Sequence, residues 1–141
     1  MKKIILFFCF ISLAYAQPDE KKLIDETLTN WHKAASEADA DLYFSVMDSD
    51  AIYLGTDAEE RWTKDDFIVW ASPYFHKGKG WNIYATKRNI FLSADKNFTW
   101  FDEELVSELG PARGSGVLIK TKEGWKLKQY NLYLTIPNDL I

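Results

Sequence analysis

A chain of 141 residues with 21 acidic and 17 basic side chains carries a net charge of −4 at neutral pH. That balance argues against nucleic acid and anionic membrane surfaces as partners, since both attract a basic face. A single cysteine, Cys9, rules out an internal disulfide.

Residues 1–16 have the three parts of a secretory signal peptide: Lys2 and Lys3, an apolar core from Ile4 to Leu13, and the A-x-A site Ala14-Tyr15-Ala16. The apolar run is too short to cross a bilayer, which needs ~20 residues. Cys9 lies inside that core rather than at the cleavage point, which argues against a lipid anchor. The expectation is export with cleavage after Ala16, to a periplasm or the cell exterior, with no further membrane attachment. Cleavage would remove Cys9 and both lysines, leaving 15 basic against 21 acidic side chains, a net charge of −6. Residues 17–141 then form one domain of common size. Aromatic side chains are 16% of the chain, so a core can be built without disulfides.

Pro18-Asp19-Glu20 reads as a helix start, followed by the stripe Ile24, Leu28, Trp31 and Ala35, ending near Glu37. Asp39 or Asp41 caps a second, short helix with Leu42, Tyr43, Val46 and Met47 on one face. A strand follows over Asp50–Leu54. Thr63 opens a third helix, with Phe67, Ile68, Trp70 and Ala71 apolar, which Pro73 is expected to interrupt. From Trp81 the period changes to two, giving strands over Trp81–Ser93, Phe98–Ser107, Ser115–Thr121 and Trp125–Ile136. Short turns between them imply an antiparallel meander, so the class is α+β, with N-terminal helices packed on a curved antiparallel sheet.

Several segments resemble a known family. They are Tyr53-Leu54-Gly55-Thr56-Asp57 with Glu60-Arg61-Trp62, Trp100-Phe101-Asp102-Glu103, and Arg113-Gly114-Ser115-Gly116-Val117-Leu118. Gly124-Trp125-Lys126-Leu127 with Gln129-Tyr130-Asn131-Leu132, and the closing Ile136-Pro137-Asn138-Asp139, complete the set. Together with the element order, they resemble the nuclear transport factor 2-like cone, and more narrowly its SnoaL-like branch, over most of residues 20–139. The resemblance implies a conical pocket between sheet and helices and a homodimer through the sheet's other face. Its members include isomerases, cyclases, dehydratases and proteins that only bind or associate, so the fold does not name a reaction.

Alternation in the last strand puts Trp125, Leu127, Gln129, Asn131 and Tyr133 on one face, opposite Lys126 and Lys128, which want water. The first set is therefore expected to face the pocket and bring two amides, Gln129 and Asn131, to a ligand. In the preceding strand Val117 and Ile119 mark the inward side, which carries Ser115 and Arg113 with them. Arg113 is expected to pair with Asp102 or Glu104, or to bind a ligand oxygen through its planar fork. Around Trp100 the faces are ambiguous; the Trp100 side is assigned inward because it brings Asp102 to Arg113. His32 flanks the first helix's stripe and is a candidate acid or base. Tyr53, Trp62 and Trp70 are expected in the pocket wall, and such walls suit an apolar or ring-shaped ligand.

No nucleophile elbow, phosphate loop or zinc spacing is present, so no cofactor or metal is expected. Three functions stay open: a module binding a small, partly apolar molecule; an isomerase, dehydratase or cyclase using His32 or Asp102 with Arg113 or Tyr53; and a pure association domain.

Overall fold

The computed structural model describes residues 19–140, so the expected leader lies outside the described residues. Helix α1, Glu20–Glu37, is capped by Asp19, whose side chain accepts from the Lys21 amide. Its stripe Ile24, Leu28, Trp31 and Ala35 is buried as the periodicity predicts, each large side chain contributing about 1.5–3 kcal/mol. Helix α2, Ala40–Val46, is capped by Asp39, which decides between the two aspartates. Strand β1 spans Met47–Leu54, and the three residues of β2, Arg61–Thr63, pair antiparallel to it.

Helix α3, Lys64–His76, starts at a Thr63 cap and runs through Pro73 rather than stopping there. Pro73 lacks the N–H that would bond the Val69 carbonyl. Val69 is 76% exposed, so its turn of the helix faces water, which can take that bond. No helix among the described residues is long and apolar enough to cross a membrane.

The meander follows as β3 (Ile83–Leu92), β4 (Phe98–Ser107), β5 (Gly110–Thr121) and β6 (Gly124–Leu134), with a last 3-10 turn at Asn138–Leu140. The six strands lie in the order β2-β1-β6-β5-β4-β3. The meander is antiparallel as expected, but β1 joins β6 in parallel, so the sheet as a whole is mixed. The helices pack on one face of this sheet.

Two β-bulges decide which side chains meet the helices. Leu118 pairs with Leu127 and Val117 with Gln129, so Lys128 is an extra residue in β6 and the alternation flips there. Trp125 and Leu127 face inward before the bulge; Tyr130 and Leu132 do so after it. Lys128 itself is held by Asp48 and Asp50 of β1. In β3, Ala85 pairs with Leu105 and Lys87 with Glu104, leaving Thr86 as the extra residue. That second bulge turns Arg88 and Ile90 inward.

These bulges, with the choice of face in β5, correct the strand assignments. Ala112, Gly114, Gly116 and Leu118 face the helices, so Arg113, Ser115, Val117 and Ile119 lie on the outer face. Gln129 and Asn131 lie there too, paired with Val117 and Ser115. On β4 the inward row is Thr99, Phe101, Glu103 and Leu105, all buried. Trp100 is 45% exposed on the outer face, stacked on Phe91, and Asp102 beside it accepts from the Asn89 amide. The β5 interior is glycine-rich for want of room. A Cβ at Gly116 would stand 2.3 Å from the Gln129 carbonyl oxygen and 3.0 Å from the Phe101 ring.

Candidate functional site: a buried carboxylate beneath an aromatic cavity

The inward rows bring a charged network to the middle of the sheet. Arg88 on β3, Glu103 on β4 and Gly114 on β5 are consecutive cross-strand partners. Glu103 is 1% exposed, and both its oxygens are used. Its Oε1 accepts from the Tyr130 hydroxyl at 2.8 Å and meets His32 Nε2 at 2.7 Å. Its Oε2 accepts from Arg88 Nε at 2.7 Å. Arg88 also donates from Nη1 to the Asp25 carboxylate (2.6 Å) and to Thr29 Oγ1 (3.1 Å), tying the network to α1.

Burial alone would raise the Glu103 carboxyl. The hydrogen bond and charge of His32, the Arg88 guanidinium and the Tyr130 hydroxyl outweigh it, and hold the group below the ordinary glutamate value. An ionised carboxylate only accepts hydrogen bonds, so the His32 proton facing it sits on Nε2. Among the described residues no hydrogen bond engages His32 Nδ1, which leaves that nitrogen as the ring's free acid–base position. Tyr130 is pushed far up, by burial first and then by the Glu103 charge, so it acts as a neutral donor.

Above this network lies a cavity of about 190 Å³. A space of about 150 Å³ already holds benzene, so one substituted ring fits. His32 and Tyr130 line its inner end together with Trp31. Tyr43, Tyr53, Phe67, Trp62, Trp70 and Trp81 form an aromatic wall, with Trp70 and Trp81 parallel at 5.9 Å and Tyr53 stacked on Phe67 at 4.3 Å. Ile83, Ala112, Leu132 and Leu134 close the opposite side. The Tyr43 and Tyr53 hydroxyls make no hydrogen bond among the described residues. Burial raises both phenols well above their ordinary value, with a smaller contribution from Glu60 at Tyr53. They are neutral donors at the cavity wall.

Of the residues singled out in the sequence, His32, Tyr53, Trp62 and Trp70 line this cavity. Trp100, Asp102, Arg113, Ser115, Gln129 and Asn131 do not; all six lie on the sheet's outer face. The expected pairing of Arg113 is not formed. Its cross-strand neighbour is Glu104, whose ion pair is with Lys87. Arg88, Glu103 and Tyr130 were missed. A carboxylate within the otherwise apolar row Thr99-Phe101-Glu103-Leu105 is the signal that points to them, since a buried charge demands partners. No group of three or more metal-ligating side chains occurs among the described residues.

Similarities to known proteins follow the fold. A protein from Novosphingobium aromaticivorans, provisionally assigned as a scytalone dehydratase, superposes with a TM-score of 0.70 at 11% identity, over 83% of this chain and 85% of its own. A nuclear transport factor 2-like protein from Cytophaga hutchinsonii gives a TM-score of 0.70 at 12% identity, over 84% of this chain and 100% of its own. A protein from N. aromaticivorans, provisionally assigned as an aromatic ring hydroxylase, gives 0.69 at 15%, over 84% and 90%. At these identities the likeness shows the fold alone. No curated protein sequence matches the chain. The structural neighbours give the chain a nuclear transport factor 2-like fold; the SnoaL-like domain model matches residues 24–137, and the chain therefore belongs to the SnoaL-like family.

Proposed function

We propose that the cavity binds a small, partly apolar ring molecule and that His32 exchanges a proton with it, as in an isomerase or dehydratase. The observation that carries this reading is the 2.7 Å contact between His32 Nε2 and the buried Glu103 carboxylate at the cavity's inner end. Such a partner fixes the ring's orientation and tautomer, and stabilises the imidazolium formed when Nδ1 takes a proton. The unpartnered phenols of Tyr43 and Tyr53 are suited to donate to an oxygen on which charge develops. Provisional dehydratases among the structural neighbours are consistent with this chemistry.

The test is deuterium exchange into a small cyclic ketone, followed by NMR, for the native protein and for His32→Gln. The glutamine amide still donates to Glu103 but cannot act as a base. Exchange is expected to fall at least about a hundredfold in the variant, while saturable ligand binding persists. Equal exchange in both proteins sinks the proton-transfer reading and leaves a binding module.

Two finer features are also proposed. Lys2, Lys3, the apolar core and the A-x-A site support export through the secretory pathway. The outer sheet face supports a homodimer: Phe91, Phe98, Trp100 and Tyr133 are each 40% or more exposed there, flanked by Val117 and Ile119. Trp100→Lys would put a charge in the middle of that patch. It is expected to shift sedimentation from dimer to monomer, and a native protein already monomeric at high concentration would refute the dimer.

A further inference from the structure

Away from His32 at its inner end, the lining of the cavity is one-sided in charge. It includes two carboxylates, Glu60 and Glu108, and neither lysine nor arginine. The nearest inward arginine, Arg88, is held by Glu103 and Asp25. Glu60 is half-buried in the β1–β2 connection, where its Oε2 accepts from the Asp57 amide at 3.2 Å and lies against Gly55. Glu108 is exposed in the β4–β5 hairpin, next to Leu109 at the open side. Among the described residues neither carboxylate has a lysine or arginine partner.

Trp62, Trp70 and Trp81 line the same cavity as these acids and His32, with Trp70 stacked on Trp62 at 5.7 Å and on Trp81 at 5.9 Å. Indole faces carry negative potential and attract a cation within ~6 Å. The same faces repel an anion, and the two carboxylates add to that repulsion. A ligand carboxylate or phosphate would have only neutral phenols and His32 to meet. An ammonium group would meet an indole-rich wall and the Glu60 carboxylate, which has no lysine or arginine partner among the described residues.

From this we infer that the ligand is a cation, a ring-bearing amine or quaternary ammonium whose charged group lies among Trp62, Trp70 and Glu60. The inference rests on the cavity being a small-molecule site, and it assigns the chemical class of that molecule. It is independent of whether His32 moves a proton.

Three probes of similar size decide it: benzylammonium, benzyl alcohol and phenylacetate, titrated against tryptophan fluorescence at low ionic strength. The ammonium is expected to bind about tenfold more tightly than the alcohol, and phenylacetate more weakly than either. Raising the salt concentration should weaken only the ammonium. The double variant Glu60→Gln/Glu108→Gln should lose about tenfold for the ammonium with no change for the alcohol, whose unchanged binding also reports an intact cavity. Equal affinity for ammonium and alcohol, or tightest binding of phenylacetate, overturns the cation assignment while the binding site stands. Saturable quenching by none of the three overturns the binding site itself, and this assignment with it.

Discussion

Glu103→Gln is expected to lower stability by about 3–5 kcal/mol, although the side chain keeps its size. The native carboxylate accepts from three donors: His32 Nε2, the Tyr130 hydroxyl and Arg88 Nε. A glutamine oxygen can serve only one side of that arrangement, and its NH₂ then points a donor at a donor. Arg88, 5% exposed, also loses its buried counter-charge and keeps only Asp25 at the surface. For a domain of this size the loss corresponds to a fall in Tm of roughly 10–20 °C. The companion variant Arg88→Met/Glu103→Leu removes the orphaned guanidinium but leaves His32 Nε2 and the Tyr130 hydroxyl without a partner, so it should recover only the part of the loss that the buried arginine carries. Urea unfolding of the two variants measures the difference. A Glu103→Gln protein within about 1 kcal/mol of native stability would mean that the network carries little of the fold.

The same carboxylate fixes a pH dependence. Its folded value lies below the ordinary glutamate value. The unfolded chain therefore takes up the proton first as pH falls, and the group's contribution is complete above the ordinary range near 4.5. It is lost as pH drops through the lower, folded value. Glu103→Gln should flatten this part of the acid-unfolding curve.

The first helix was legible because its evidence is local. Ile24, Leu28, Trp31 and Ala35 repeat at helical spacing and all four are buried. The meander was legible for the same reason, since turn residues punctuate runs of alternating side chains. Strand β2 is three residues long, too short for a period to register. Pro73 reads as a breaker, yet α3 continues because the affected carbonyl is on the wet side of the helix.

The faces of the sheet were the main failure, and they failed at particular residues. Lys128 and Thr86 are ordinary strand residues, and nothing in their identity marks a bulge. Bulge placement depends on what the neighbouring strands and helices must accommodate, which is long-range information. Without the bulge at Lys128, Tyr130 would point away from the cavity; without that at Thr86, so would Arg88. The two bulges thus deliver two of the three partners of Glu103, and a strict period of two misses both. The β5 assignment failed differently. Val117 and Ile119 look like core, but they sit in the apolar outer patch with Trp100 and Phe98. The inward positions are glycines because the large side chains come from neighbouring strands.

Gly114 is the position where that last point has its largest expected effect. It lies directly between Glu103 and Leu132 in register, on the inward face. A Cβ there would stand 2.2 Å from the Tyr130 hydroxyl oxygen, 2.8 Å from Tyr130 Cζ and 2.8 Å from Glu103 Oε1. The Tyr130–Glu103 hydrogen bond passes over the glycine, and a single methyl group occupies its path. Gly114→Ala is therefore expected to cost about 2–4 kcal/mol, combining overpacking with loss of a hydrogen bond to a charged group. Tyr130 has little room to yield, being 1% exposed with its ring centroid 4.8 Å from that of Trp31 in an edge-to-face arrangement. Tyr130→Leu ends the side chain short of the hydroxyl and Cζ positions, so it removes the two Tyr130 contacts among the three. In that background only the Glu103 contact remains, so Gly114→Ala should cost about 2 kcal/mol less than in the native protein, a coupling read from a double-mutant cycle measured by urea unfolding. Additive losses would show that the glycine serves the strand itself. Strong coupling would show that β5 gives up a side chain so that a tyrosine can cross it and hold the carboxylate beneath the cavity.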